Sequence, residues 1–335
     1  MLYRRRSVIR DSLRYGFAVG RVRVLETHLL PHATYERLIE ARSLAEQRRI
    51  LGETVYGGYL EMAHTIEGIE RGLDAALSDL YDDFLCRANL PRPFVEFFLV
   101  RYEFENLKGR LKAEALGVSS APMLTALGCG STEPFEGPSE KLPLRMRAAE
   151  RKVREALARD DGSLPPDEIE DAVDTELFAT LAEIAGESRS AFVRELFELE
   201  ADIGNVRAFV RARARDIPIA EVRTRFVPGG RISIQGLVSA YPLPPVEAAT
   251  RLAATRLLPG VDPEALADPA RFDIEAVRIV SARVRASRRI AVGPEPVLGY
   301  IKERQAEVTA LRVLLMGSLA RVPAAHLRER LKDVV

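Results

Sequence analysis

The chain has 335 residues, of which 47% are hydrophobic and 29% are charged, a composition typical of globular proteins and unlike that of disordered or fibrous chains. Its 49 lysines and arginines balance 49 aspartates and glutamates, which argues against a protein that attracts nucleic acid through its overall charge. The length exceeds what one compact core usually holds and fits two or three domains.

The first residues are basic but do not resemble a secretion signal. The run from Arg4 to Arg6 is followed by Arg10, Asp11 and Arg14, which interrupt any apolar region. The longest nearly apolar stretch, residues 308–322, is shorter than the about 20 apolar residues that cross a bilayer. We therefore expect a cytoplasmic protein without a transmembrane segment.

Helical periodicity runs through most of the chain. The apolar residues Phe97, Val100, Phe104, Leu107 and Leu111 step by three and four and predict one helix with a single buried face. Alternating β-branched runs and Asn-Gly or Asp-Gly hairpin signals are scarce. The sequence therefore predicts an all-α fold.

The segment from Arg101 to Lys112 recurs in altered form at residues 200–211 and 306–316. Copies one and two carry the pattern acid-x-x-Asn-aliphatic-Lys/Arg, and copy three carries the same pattern with Ala in place of Asn. The central positions are Asn106, Asn205 and Ala310, at spacings of 99 and 105 residues. Such regular recurrence predicts an internal triplication. The motif residues are Glu103, Asn106 and Lys108 in copy one; Asp202, Asn205 and Arg207 in copy two; and Glu307, Leu311 and Arg312 in copy three.

Three similar helical units follow from this repeat: residues 1–135, 136–245 and 246–335. Turn-forming residues end each motif helix, at Gly117, at Asp216 to Pro218, and at Pro323. Connectors rich in Gly and Pro follow the first two helices, and a short amphipathic helix from Ala324 to Leu331 follows the third.

The acid and the Asn of each motif lie three residues apart, on one side of a helix. They can bond each other or bind the backbone of a loop from a neighbouring unit. The first interpretation is therefore structural, a polar contact that fixes helix register. Direct contact with a partner protein and a simple solvent-exposed face remain alternatives.

Catalytic and metal-binding patterns are absent from the sequence. It contains no Gly-x-x-x-x-Gly-Lys-Ser/Thr loop, and His28 and His32 are separated by Pro31 with no further ligand nearby. The run from Gly128 to Ser131 lacks both a preceding strand and a histidine base, so we interpret it as a flexible connector. We expect no enzyme, cofactor or metal.

The two cysteines, Cys86 and Cys129, match no redox or metal-binding spacing, which favours free thiols in a reducing compartment. Adjacent acids such as Asp82 and Asp83 diverge on a helix and do not resemble a general acid–base pair.

Several segments, in this order, resemble the C subunit of prokaryotic V/A-type ATP synthases, which is equivalent to the d subunit of eukaryotic vacuolar ATPases. The resemblance covers essentially the whole chain. It rests on Tyr15–Glu26 (YGFAVGRVRVLE), Glu105–Lys108 (ENLK), Asp202–Arg207 (DIGNVR), Pro228–Ile232 (PGGRI), Gly299–Glu303 (GYIKE) and Leu327–Leu331 (LRERL). This chain departs from the family pattern at Ala310, where the third copy usually carries Asn, and at Gly317-Ser318.

The resemblance implies three similar helical units around a pseudo-threefold axis, forming a funnel. It also implies a non-catalytic central-stalk subunit, one copy per complex, peripheral to the membrane. Its expected partners are the rotor shaft subunits of the D and F types and the membrane proteolipid rotor ring, and it would transmit torque for proton or sodium transport. A helical-repeat scaffold unrelated to a rotary motor is the alternative.

Clustered arginines are the candidates for partner contacts, with acidic rotor surfaces or lipid headgroups. Cations at helix ends also favour the helix dipole, so solvated helix ends are the competing interpretation. Nucleic acid is a poorer partner, because aromatic residues for base stacking are not interleaved with these arginines. The candidates are Arg211, Arg215, Arg231, Arg283, Arg285, Arg288 and Arg289.

Overall fold

The computed structural model describes residues 2–87, 90–127, 131–158, 165–188, 190–223, 225–253 and 261–331. All regular secondary structure in this part of the chain is helical, which confirms the all-α prediction. Cys129 and the residues 128–130 of the predicted connector lie outside it, as does the side chain of Cys86.

The α-helices of the described residues follow one another along the chain. They are α1 (Leu2–Leu25), α2 (His32–Glu40), α3 (Leu44–Leu51), α4 (Gly57–Leu60), α5 (Ile66–Leu80), α6 (Arg92–Leu116), α7 (Glu133–Glu136), α8 (Leu144–Leu157), α9 (Pro166–Glu187), α10 (Ala191–Ala214), α11 (Ile219–Arg223), α12 (Ile234–Ala240), α13 (Pro245–Ala253), α14 (Pro269–Ser287), α15 (Pro294–Leu319) and α16 (Ala324–Leu331). A π-helical turn, Tyr81–Cys86, extends α5.

These helices form two compact units. The first contains Met1–Leu90 together with Val277–Val335, and the second contains Pro91–Ala276, so the boundary at 276 falls within α14. The division into three repeats at residues 135 and 245 follows the sequence pattern rather than compactness and stays a prediction.

In the first unit α15 packs against α1, α3, α5 and α16. Because neighbours surround it on several sides, α15 buries residues around most of its circumference rather than along one stripe. Leu311, Leu314 and Leu315 are almost completely buried, and each such side chain contributes about 1.5–3 kcal/mol relative to an exposed one. The core of this unit therefore joins helices from both ends of the chain.

In the second unit α9 packs against α6, α8 and α10. The α6 face towards the core carries Phe97, Phe104, Leu107 and Leu111, all at most 1% exposed. These residues belong to the apolar stripe that the periodicity predicts. Phe97 and Phe98 meet edge to face, with ring centroids 5.7 Å apart.

The three motif helices, α6, α10 and α15, end with the same backbone geometry. In each, one residue eleven positions after the motif centre adopts a left-handed conformation, and the next N–H bonds the carbonyl five residues earlier, as in a Schellman motif. The left-handed residues are Gly117 (φ 66°), Asp216 (φ 53°) and Arg321 (φ 56°). The closing bonds join Val118 to Ala113 (2.9 Å), Ile217 to Ala212 (3.0 Å) and Val322 to Gly317 (2.8 Å).

This shared ending makes Arg321 a strained position, since a non-glycine residue in the left-handed region is destabilised by about 1–2 kcal/mol. We expect Arg321→Gly to raise the free energy of unfolding by up to about 1 kcal/mol once the added freedom of the unfolded chain is subtracted. Chemical denaturation measures the change. The matched control is Arg194→Gly, an exposed helical position that should lose about 1 kcal/mol; a loss of stability at both positions would contradict the prediction.

Candidate functional site: three repeated polar motifs

The asparagines of copies one and two bind the backbone of the connector that follows their own helix. Asn106 donates from Nδ2 to the carbonyl of Thr125 (3.0 Å) and accepts the Thr125 N–H at Oδ1 (2.7 Å). Asn205 makes the same pair of bonds to Val227, at 2.8 and 2.7 Å. The sequence pattern allowed the Asn to bond either the motif acid or the backbone of a loop from a neighbouring unit. The structure shows bonds to loop backbone, and in each copy the Asn and the loop belong to the same compact unit. We call this arrangement the connector clamp.

The acid of copy two adds a second hold on the same connector. Asp202 is fully buried, and its two carboxylate oxygens accept the N–H groups of Arg231 (3.0 Å) and Ile232 (2.9 Å). A Cβ atom on Gly230 would lie 2.2 Å from Oδ1 of Asp202, so no other residue fits there without displacing the carboxylate. Gly230 of the PGGRI segment therefore allows close approach of the backbone to Asp202, whereas Gly229 has a φ of 101° and lies against the Phe197 ring.

Copy three replaces the clamp with a buried ionic cluster. Glu307 accepts the N–H of Leu30 at Oε1, and at Oε2 it accepts the Tyr56 hydroxyl (2.9 Å) and the Arg304 guanidinium (2.7 Å). Arg304 also lies over the Tyr56 ring, 4.6 Å from its centroid. Ala310, at the position of Asn106 and Asn205, is completely buried.

Arg304 stands six residues before the motif centre, where copies one and two carry the buried aliphatics Val100 and Leu199. The loss of Asn and the gain of Arg304 thus occur in the same copy. Here the acid still holds loop backbone, but the loop belongs to the N-terminal part of the chain.

Burial raises the pKa of all three motif acids. For Glu103 the opposing influence is the charge of Arg145, which is weaker than burial. For Asp202 it is the two backbone N–H groups, and for Glu307 the charge of Arg304 followed by the Leu30 N–H. In each case desolvation exceeds the stabilisation of the charged form.

The motif cations bind acids on a second set of repeated helices. Lys108 contacts Asp174 of α9 (3.0 Å), Arg207 contacts Asp273 of α14 (2.7 Å), and Arg312 contacts Asp74 of α5 (3.0 Å). These aspartates are themselves 100 and 99 residues apart. We call the three pairs the repeat-linking ion pairs.

The repeat-linking pair of copy one is the most buried at its cation, since the Lys108 side chain is only 11% exposed. Burial lowers the pKa of the Lys108 ammonium, but the carboxylates of Asp174 and Glu105 more than offset this and hold it above its usual value. Leu311, assigned to the motif of copy three, is a fully buried core residue.

Among the candidate partner-contact arginines, three form ion pairs with three different acids. Arg211 shares Asp273 with Arg207, whereas Arg231 pairs with Glu198 and Arg288 with Glu303. Most of the set is solvent-exposed, and their role in partner contacts stays a prediction. The exposed members are Arg211, Arg215, Arg231, Arg285, Arg288 and Arg289, and Arg283 is half-buried.

The sequence pattern places Arg110 beside the apolar stripe of α6 but assigns it no role; in the structure it binds residues of α7, the turn that follows α7, and α8. Its guanidinium donates to the carbonyls of Phe135 (3.2 Å) and Gly137 and lies 3.4 Å from Glu150. The repeat could not reveal it, because the equivalent positions are Phe209 and Leu314. Arg304 escaped notice for the same reason.

Within the described residues there is no group of side chains able to hold a metal ion. Nor does any helix in that part of the chain combine the length and apolarity needed to cross a membrane. The contacts found at the motifs are hydrogen bonds and ion pairs that join the motif helices to loops and neighbouring helices.

A family model described as the ATP synthase (C/AC39) subunit matches residues 18–330 of the chain. The chain belongs to this family. Three relatives of the C/AC39 family show how far the similarity extends. The C subunit of the A-type ATP synthase of Thermococcus onnurineus is 24% identical over 90% of this chain and 85% of its own length. The corresponding protein of Methanosarcina mazei is 26% identical over 92% and 90%.

The C subunit of the V-type ATP synthase of Thermus thermophilus is 24% identical over 94% of this chain and 97% of its own length. The family assignment confirms the resemblance that the repeated motifs carry, and the motif helices α6, α10 and α15 all lie within the matched range.

Removal of one clamp tests its contribution to stability. We expect Asn205→Ala to lower the free energy of unfolding by about 1 to 3 kcal/mol, because both polar groups of Val227 lose their partner. Urea denaturation followed by circular dichroism measures the loss. Thr309→Ala, an exposed side chain bonded only to its own helix, is the control and should change stability by less than about 0.5 kcal/mol. Equal effects at the two positions would refute the clamp.

The raised pKa of Glu103 predicts a pH dependence. Below its usual value of 4.5 the carboxyl is protonated in both states. As the pH rises above 4.5, the unfolded chain ionises first, so the stability of the wild type relative to Glu103→Gln falls until the pH passes the raised pKa and then levels. Urea denaturation of both proteins between about pH 4 and 7.5 measures the difference in their free energies of unfolding. A wild type that becomes more stable relative to Glu103→Gln as the pH rises would overturn the assignment.

Proposed function

We propose that this protein is a non-catalytic central-stalk subunit of a rotary V/A-type ATPase or ATP synthase. It links the soluble rotor shaft, of the D and F types, to the membrane proteolipid ring and transmits torque for ATP-coupled proton or sodium transport. The observation that carries the proposal is the family match over residues 18–330. The relatives, named as the C subunit of such synthases, align over most of their own length.

The repeat-linking ion pairs support a pseudo-threefold arrangement of the repeats. Copy one contains α5 and α6, copy two α9 and α10, and copy three α14 and α15. The motif cation of copy one binds copy two, that of copy two binds copy three, and that of copy three binds copy one. A chain of equivalent contacts that closes on itself is what rotational pseudo-symmetry requires. The funnel shape belongs to the same proposal.

Torque transmission demands stiffness, and the motif contacts are suited to it. A connector bonded at both its N–H and its carbonyl by one buried side chain cannot slide along the helix without breaking both bonds. Buried polar contacts of this kind fix one register because the alternative leaves unsatisfied groups. The protein itself then needs no bound cofactor, and its task is to keep its shape under load.

The proposal predicts which proteins copurify with this chain. We expect that the tagged chain, purified from gently solubilised membranes of its native host, brings with it Mg-ATP hydrolysis activity and small proteolipid subunits. Mass spectrometry and an ATPase assay of the eluate detect the two. A well-folded preparation that lacks both would contradict the proposal and favour an independent helical scaffold.

A further inference from the structure

The first helix presents an uncovered face. Phe17 and Val24 on α1 are 73% and 61% exposed. The buried residues of the same helix lie on the opposite side, where α1 contacts α15 within the first unit. Those buried residues are Tyr15, Ala18, Val19 and Val22. With about 100° between successive helical residues, Phe17, Gly20 and Val24 fall on one line directly opposite them.

Two glycines, Gly16 and Gly20, lie close to Phe17 on α1, and no contact within this chain requires glycine at either position. Glycine destabilises a helix interior relative to alanine. A Cβ atom on Gly16 or on Gly20 would meet no atom within 4 Å, so the protein's own packing does not require either. A missing side chain on an exposed face instead lets the backbone of another helix approach closely.

The exposed line has the spacing of a coiled-coil seam. Phe17, Gly20 and Val24 are three and four residues apart, the alternation of the a and d positions of a heptad. The sequence of this helix is basic, since Leu2 to Leu25 holds seven arginines and only one acid, Asp11. Two of the seven, Arg21 and Arg23, form ion pairs with Asp83 and Glu26 of this chain. Arg14 is exposed one turn before Phe17.

The charge and width of this exposed face of α1 indicate which kind of partner binds it. A second copy of the chain would set arginine-rich α1 against itself, and like charges across a helical seam repel. A bilayer surface is served by a broad apolar face, whereas here one phenylalanine, one valine and a glycine form a single narrow line. An α-helix with an apolar stripe flanked by carboxylates complements both the shape and the charge.

We propose that Phe17, Gly20 and Val24 form the surface on which an acidic α-helix of the rotor shaft docks, with its apolar stripe against Gly20. This inference rests on the proposed function, which supplies the shaft as the source of the helix. It assigns a partner-binding role to the YGFAVGRVRVLE segment, which the motif contacts leave without one.

Site-specific photocrosslinking tests this surface in the intact complex. The full chain carries p-benzoylphenylalanine at position 17 or, as a control, at position 144, where Leu144 of α8 is 80% exposed in the other compact unit. Illumination of the affinity-purified complex should join position 17, but not position 144, to a shaft subunit. Crosslinks from position 17 to a second copy, to lipid or to the proteolipid, or none at all, would overturn the assignment.

Affinity provides the second measurement. In the full chain we expect Phe17→Glu combined with Val24→Glu to weaken binding of the purified shaft subcomplex at least tenfold, while Leu144→Glu leaves it unchanged. Both variants should retain the wild-type helical signal and melting temperature, because all three side chains are exposed. If the wild type binds the shaft and the double variant binds it equally well, the surface is wrong. If the wild type binds no shaft at all, the proposed function fails with it.

Discussion

The connector clamp is the contact on which the repeated architecture depends. A connector without regular secondary structure has backbone N–H and C=O groups that lack helical partners. These groups need other hydrogen-bond partners if the connector is to pack against a core. Asn106 and Asn205 provide both partners from one side chain, and Asp202 provides two more acceptors. Each connector is thereby bonded to the motif helix that precedes it.

The third copy shows that the same task has more than one chemical solution. Where Asn gives way to Ala310, Glu307 takes the backbone N–H of Leu30 and is itself held by Arg304 and Tyr56. A buried ion pair of this kind is strongly destabilised when one partner is removed, although an apolar replacement of both is often tolerated. Copy three therefore depends on the joint presence of Arg304 and Glu307, whereas copies one and two depend on single asparagines.

Local features of this fold were predictable, and long-range partners were not. The apolar stripe of α6 and the helix ends at Gly117 and Asp216 leave periodic or turn-specific signals in the sequence. The pairing of Lys108 with Asp174 leaves none, because ionic partners are set by packing. The contacts of Arg110 and Arg304 could not be predicted either, because each arginine occurs in one copy only and the repeated pattern does not include it.

The composition of the first unit has a consequence for biosynthesis. Its helix α5 is synthesised before α15, the helix that fills its core, and the second unit lies between the two along the chain. The second unit, residues 91–276, is one continuous segment and can fold once it has left the ribosome. The helices synthesised before it keep their apolar surface exposed until α15 is available. Synthesis of α15, rather than synthesis of α5, therefore sets the moment at which the earlier helices of this unit can bury their apolar surface.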